Sequence, residues 1–256
     1  MIYIFFSVFG LLVGSFLNVL ILRLPKEDDV VFKSSHCPKC LTKIKWYMNI
    51  PVISYVFLRG KCYFCKAKIS LQYPIVEIIT GYFSLYFAPK LITIDGLYNY
   101  SFYFSVFCVF LVHFIIDLRH KILPDSLNIY LFLLFICYSF FNFPLIHSVS
   151  GFLIGLLFPL SVAYAFYKLK GVEGLGGGDI KLFGVLGVFL GPIGVLQNLF
   201  LSCILGTIVG LILIALGKAQ KNTGIPFGPS IISVATFQIF LPEYFAFFAS
   251  LIGFNF

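Results

Sequence analysis

The chain has 256 residues, 60% of them hydrophobic and only 11% charged, with a net charge of +8. One water-soluble core of that size cannot hide so much apolar surface, so a soluble globular chain is excluded. The composition predicts an all-α polytopic membrane protein.

A helix that crosses a bilayer needs about 20 mostly apolar residues. From the N-terminus, such runs cover 2–22, 74–94, 97–116, 126–143, 149–168, 181–196, 198–217 and 230–253, which predicts about eight transmembrane helices. The run at 181–196 is short and rich in glycine. The first run is long enough to span, lacks a basic segment before it and leads into a basic loop, so it reads as a retained helix and not as a removable signal peptide.

Basic residues test this layout, because cytoplasmic loops collect Lys and Arg. Ten lie between Arg23 and Lys68, and the rest of the majority are Arg119, Lys121, Lys168, Lys170, Lys181, Lys218 and Lys221, so 17 of 18 fall on one side and only Lys90 on the other. Both termini are therefore expected outside and the long polar segment in the cytoplasm. Three parts follow: a first helix at 1–22, a cytoplasmic insert at 23–73, and a membrane-embedded body at 74–256. The positive charge reflects this topology and calls for no nucleic-acid partner, while basic loops suit anionic lipid headgroups.

The insert carries Cys37-Pro38-Lys39-Cys40 and Cys62-Tyr63-Phe64-Cys65, two CxxC pairs with 21 residues between them. Two such turns complete a closed tetrahedral set of four thiolates, the pattern of a structural zinc site. Lys39, Lys61, Lys66 and Lys68 would offset the negative charge of a zinc tetrathiolate. Disulfides or a redox-active CxxC are the competing readings, but the expected compartment is reducing and no thioredoxin-like pattern surrounds the pairs. Cys108, Cys137 and Cys203 sit singly in apolar runs and read as packing residues.

Carboxylates near hydrocarbon are costly and tend to mark function. Glu27, Asp28, Asp29, Asp95, Glu173 and Glu243 fall in loops or near span ends. Four others map to the cytoplasmic membrane edge: Glu77, Asp117, Asp125, and Asp179 at the end of Gly174-Leu175-Gly176-Gly177-Gly178-Asp179. The glycines permit close approach of the backbone to another element. Taken singly, Asp179 reads equally well as a helix cap, and Asp117 as a headgroup-level partner of Arg119 or Lys121. Taken together, two facing carboxylates can share a proton and divide general-base and general-acid work.

The ordered motifs resemble the bacterial prepilin peptidases, or type IV leader peptidases, of the GxGD class of intramembrane aspartyl proteases. Gly14-Ser15-Phe16-Leu17-Asn18-Val19 with Arg23-Leu24-Pro25 is similar to the N-terminal signature of that family, and the CxxC pairs to its cytoplasmic zinc domain. Tyr73-Pro74-Ile75-Val76-Glu77 with Thr80-Gly81, Ile116-Asp117 through Pro124-Asp125, Gly176 to Asp179 with Lys181, and Ile225-Pro226-Phe227-Gly228-Pro229 match the later blocks in order.

The resemblance implies that Asp117 and Asp179 are catalytic, with Asp125, Gly176, Gly178 and Lys181 in support. It implies a substrate, the basic leader of a type IV prepilin or a type II secretion pseudopilin, cut at the cytoplasmic side of the bacterial inner membrane, with the pilus or secretion machinery as context. It also implies N-methylation of the new terminus with S-adenosylmethionine, for which Gly14, Asn18, Arg23 and Glu77 are the matching positions. For these, simple helix packing is the plain alternative, since Gly10 and Gly14 form a GxxxG and Asn18 suits an interhelical hydrogen bond. Other classes remain: an ion or solute transporter lined by the aspartates, or a zinc-bearing scaffold without chemistry. No convincing inverted repeat supports the transporter.

Overall fold

A computed structural model describes residues 2–30, 35–172, 174–217 and 225–251. Among them are nine α-helices and no named strand: α1 Ile2–Arg23, α2 Ile53–Phe57, α3 Gln72–Phe87, α4 Ile94–His120, α5 Asp125–Asn142, α6 Leu145–Lys170, α7 Gly177–Ala215, α8 Gly228–Phe240 and α9 Pro242–Leu251. Lys218, Lys221, Glu173 and the last two residues of the expected 230–253 span lie outside the described residues. Five helices are long and apolar enough to cross a membrane, or six if the bent α8–α9 pair is one span, so the described residues have the all-helical architecture of a multi-pass membrane protein.

The differences from the eight expected runs have local causes. α3 ends at Phe87, before Ala88 and Pro89, because a residue preceding proline is pushed out of helical geometry; its 16 residues are fewer than the about 20 that a crossing needs. α8 and α9 meet at Leu241–Pro242 with a bend of 112°. The runs 181–196 and 198–217 belong to the single 39-residue α7, whose break lies at Gly191 (φ 70°) ahead of Pro192, not at 197. Hydropathy is uniform across that point, so a search for apolar runs could not find it.

The break reverses the chain. A Cβ on Gly155 would collide with the Phe183 carbonyl and also lie 3.0 Å from Val195 Cγ2. A straight helix would hold residues 183 and 195 about 18 Å apart along its axis. α7 therefore folds back into two arms, 177–190 and 192–215. The returning arm lies against α8 through buried polar groups: Gln238 Nε2 donates to Gly194 O (2.9 Å), Asn198 Nδ2 to Gln238 Oε1 (2.8 Å), and Ser202 Oγ to Asn198 Oδ1 (3.3 Å). The first arm meets α6 by direct backbone contact of Gly151 with Gly187. Small residues allow such approach, which dispersion and close packing reward in a membrane.

The fold has two compact units, 1–108 and 109–256, divided within α4. In the first, Gly10 and Gly14 of α1 face α3, where a Cβ at Gly14 would stand 2.7 Å from the Glu77 Cα. Ser84 Oγ of α3 donates to Phe6 O (2.6 Å) and bonds the Tyr100 hydroxyl (2.7 Å).

The Gly151–Gly187 contact has a measurable consequence. Gly187→Ala is expected to cost about 1–3 kcal/mol through overpacking, and Gly177→Ala, which would meet nothing within 4 Å, is expected to be near neutral. Thermal unfolding in detergent compares the two; equal stability of both variants would remove the contact from its role.

Candidate functional site

At one end of the second unit, four helix termini converge on Leu123. This residue lies in the short link between α4 and α5, and it is buried. A Cβ on Gly178, at the start of α7, would lie 3.1 Å from Leu123 Cβ; one on Gly228, at the start of α8, would lie 3.2 Å from Leu123 Cδ2 and 2.7 Å from Asp117 Oδ2. Glycine at both positions lets the two helix starts close around the end of α4.

Asp117, in the last turn of α4, is buried. The Gly228 amide faces its carboxylate, and the positive end of a helix dipole favours a negative charge there. Its Oδ2 has no hydrogen-bond partner among the described residues. Asp179 is half-buried at the third position of α7. Its carboxylate turns back to the Gly176 amide and lies within electrostatic reach of Asp117. The N-cap of α7 is Gly176, so Asp179 does not cap from outside the helix, and its back-bond resembles half of a capping box. Lys121 lies within electrostatic range of Asp117.

Asp125 opens α5, and Lys181 stands on the first arm of α7. Lys181 Nζ donates to both Asp125 oxygens at 2.8 Å. Both side chains are more than half exposed, so the pair contributes little to stability, about 0–1 kcal/mol. Its geometry nonetheless ties α5 to the turn that carries Asp179. Sequence reasoning gave no role to Leu123, Gly228 or His113. Gly228 lies in the quoted Ile225–Pro229 motif, whereas nothing in the pattern singles out Leu123. His113, one turn before Asp117, is fully buried with both ring nitrogens unpartnered among the described residues, as are the amide atoms of buried Asn128.

The four insert cysteines also come together. Their sulfurs all lie within 4.8 Å of one another, with Cys37 Sγ 3.9 Å from Cys65 Sγ. Two matching knuckles create this cluster. In the first, Cys37 N donates to Thr42 O (3.0 Å) and Leu41 N to Cys37 O (2.9 Å); in the second, Cys62 N donates to Ala67 O (2.8 Å) and Lys66 N to Cys62 O (3.0 Å). An isolated antiparallel bridge closes each, His36 with Lys43 and Lys61 with Lys68. The residue after each second cysteine, Leu41 or Lys66, takes a left-handed backbone (φ 57° and 56°), an uncommon state for a residue with a Cβ.

Hydrogen bonding from Thr42 draws the Cys40 thiol down to about 6. The Ala67 amide draws Cys65 down as well, but burial and the neighbouring cysteines outweigh it and push that thiol up to about 11. Four sulfurs so close cannot all ionise without a cation, and a tetrahedral metal ion fits this donor set.

The positions matched to methyl transfer gather where α1, α3 and the insert meet, and structural bonds engage them. Asn18 Nδ2 donates to Tyr73 O (3.1 Å) and Gly14 O (3.3 Å), and its Oδ1 accepts from Gln72 Nε2 (3.4 Å). Arg23 Nη1 donates to Asp29 O (2.8 Å). Glu77 Oε2 accepts the Val52 amide (2.8 Å), and Gly14 packs on α3.

Residues 8–91 match the family described as Bacterial Peptidase A24 N-terminal domain, and residues 104–211 match the Type IV leader peptidase family. Curated relatives of the same printed name, Prepilin leader peptidase/N-methyltransferase, come from several bacteria. The one from Xanthomonas campestris pv. campestris is 34% identical over 251 residues, covering 86% of this chain and 84% of its own. That from Pseudomonas aeruginosa is 34% identical, with 86% and 83% covered, and that from Neisseria gonorrhoeae 33% identical, with 88% and 85% covered. No solved structure matches the chain.

If the cysteine cluster holds one ion, titration with Co²⁺ should develop thiolate-to-metal absorption that saturates at one equivalent, and Cys62→Ser should weaken or remove it. An unchanged spectrum in the variant would exclude Cys62 as a ligand.

Proposed function

Because the chain belongs to the type IV leader peptidase family, we propose that it cleaves the basic leader from type IV prepilins or type II secretion pseudopilins, with Asp117 and Asp179 as its catalytic pair. The observation that carries this reading is the closure of the α4, α5, α7 and α8 termini around Leu123, which puts the two carboxylates within electrostatic reach of one another.

Two carboxylates in such reach hold one proton between them. The ionised member takes a proton from a water as its oxygen bonds to the scissile carbonyl carbon. The protonated member gives its proton to the carbonyl oxygen. Collapse of the tetrahedral gem-diol breaks the C–N bond: the departing amine receives the proton that the base had gained, and a gem-diol hydroxyl returns its proton to the other carboxylate as the carboxylic acid forms, so the pair returns to its starting charge. Gly228 and Gly178 serve by admitting this approach, Gly176 by offering its amide to Asp179, and the Asp125–Lys181 pair by holding the first turn of α7.

Membrane placement follows the same reading. α1, α3, α4, α5, α6, the two arms of α7 and the α8–α9 pair make eight passes, with both termini outside the bacterial inner membrane. The 23–73 insert and the ends of α4 and α7 then share the cytoplasmic face with the leader. The insert carries a structural zinc ion on Cys37, Cys40, Cys62 and Cys65, and the 74–256 body carries the peptidase.

N-methylation of the new terminus belongs to the function, with S-adenosylmethionine as methyl donor. Gly14, Asn18, Arg23 and Glu77 are the positions proposed for that donor, and they meet where α1, α3 and the insert join. As the family motif implies, their proposed part in methylation is to bind the donor at that junction.

Mass spectrometry of a prepilin-type substrate incubated with enzyme and S-adenosylmethionine tests both activities: loss of the leader mass reports the peptidase, and an added methyl the transferase. Asp117→Asn and Asp179→Asn are each expected to abolish leader loss while Co²⁺ absorption at the cysteines persists. Gly228→Ala should reduce cleavage by an order of magnitude or more, as a misplaced catalytic group can cost about 10²-fold. Undiminished cleavage by either Asn variant removes that aspartate from the pair.

A further inference from the structure

Within the first unit, residues 35–71 carry seven Lys or Arg residues and no Asp or Glu. Interleaved with this charge is a set of large apolar side chains that are mostly exposed. Trp46 is 82% exposed and Phe57 83%, with Val56 at 66% and Ile53 at 53%. They belong to a short 3₁₀ turn, Trp46–Asn49, and to α2, flanked by Lys45 and Arg59. An open groove beside the turn is lined by Ser35, Lys43, Ile44, Lys45, Trp46 and Tyr47, among others. Exposed apolar residues clustered in this way mark an interaction surface.

The position of the segment identifies what it meets. Glu77 Oε2 accepts the amide of Val52, the residue that immediately precedes α2. Glu77 stands five residues into α3, roughly 7 Å along the axis from its start. This bond holds the head of α2 beside the start of α3, which the proposed placement reads as a membrane pass. The Val52 backbone is held there at φ 59°, unfavourable for a β-branched residue. On α3 itself, Ile75, Ile78 and Tyr82 are exposed, as apolar side chains of a lipid-facing helix would be.

We propose that Trp46–Arg59 is an interfacial element, seated in the headgroup layer of the leaflet where α1 ends and α3 begins, with a preference for anionic lipid. The aromatic and aliphatic side chains enter the boundary between headgroups and acyl chains, as amphipathic surface segments do. Lys43, Lys45 and Arg59 meet the phosphates. Glu77 is then a positioning residue that sets the depth of the segment, and the cysteine cluster is a platform lying on the bilayer. The proposal rests on the proposed reading of α3 as a membrane pass and not on the catalytic assignment.

Trp46 is the only tryptophan in the chain, which makes the test direct. The metal-loaded, full-length protein is reconstituted in phosphatidylcholine vesicles with and without phosphatidylglycerol, and Trp46 fluorescence is quenched either by acyl-chain-brominated lipid or by aqueous iodide. Seated Trp46 should be quenched by brominated lipid and protected several-fold from iodide, more so with phosphatidylglycerol. Lys43→Glu with Lys45→Glu should weaken the phosphatidylglycerol effect, and Glu77→Gln should raise iodide access while the Co²⁺ signature of the cysteines stays intact. Free access to iodide with no quenching by brominated lipid in either membrane would overturn the proposal. So would protection that arises only when a prepilin-type peptide is added, or only at high protein density, which would assign the face to a protein partner.

Discussion

Backbone contact between Gly151 and Gly187 is the constraint on which the second unit depends. Along α6 and the first arm of α7 the closest approach is set by Gly151, Gly155 and Gly187, and His147 of α6 meets the Phe189 carbonyl near the turn (3.3 Å). With the first arm held on α6, the reversal at Gly191 sends the second arm back to α8, where Asn198, Ser202 and Gln238 lock its register. The start of α8 then falls beside the end of α4, and Gly228 reaches Asp117.

The site illustrates how a membrane fold brings carboxylates together without burying two bare charges. Asp117 is buried, but it faces the start of α8; Asp179 is half-buried and turns to the Gly176 amide. Each uses the donor-rich end of a helix, where backbone amides without intrahelical partners are available. The bidentate Asp125–Lys181 pair lies outside this arrangement, exposed, as a strut between two helix starts.

Much of this was legible in the sequence, and the unread parts share a cause. The CxxC spacing predicts the cysteine cluster because two knuckles form from local hydrogen bonds, and the glycine run before Asp179 marks a close approach. Helices α1, α4, α5 and α6 follow the apolar runs because hydropathy changes sharply at their ends. The turn at Gly191 was missed because both arms are equally apolar, although Gly191-Pro192 offered a signal. The α8–α9 bend similarly turns on Pro242. Leu123 and His113 depend on which helices become neighbours, and no window along one chain reports that. Gly14, Asn18 and Glu77 show the opposite limit: their motif is visible, but only the fold reveals that they join α1, α3 and the insert.

The shortness of the first α7 arm has a consequence for the surrounding lipid. Fourteen residues, 177–190, extend about 21 Å, and the 18 residues of α5 about 27 Å, against a hydrocarbon thickness of about 30 Å. Ser139, near the end of α5, donates to Val188 O near the end of that arm, so both elements are pinned at the same far level. Their other ends, which carry Asp125 and Asp179, cannot stand at full bilayer height. Hydrophobic mismatch of this kind is relieved by local thinning of the membrane. On the membrane placement proposed above, the bilayer beside the two carboxylates would be thinned, and a helix lying in that membrane would have its end uncovered there.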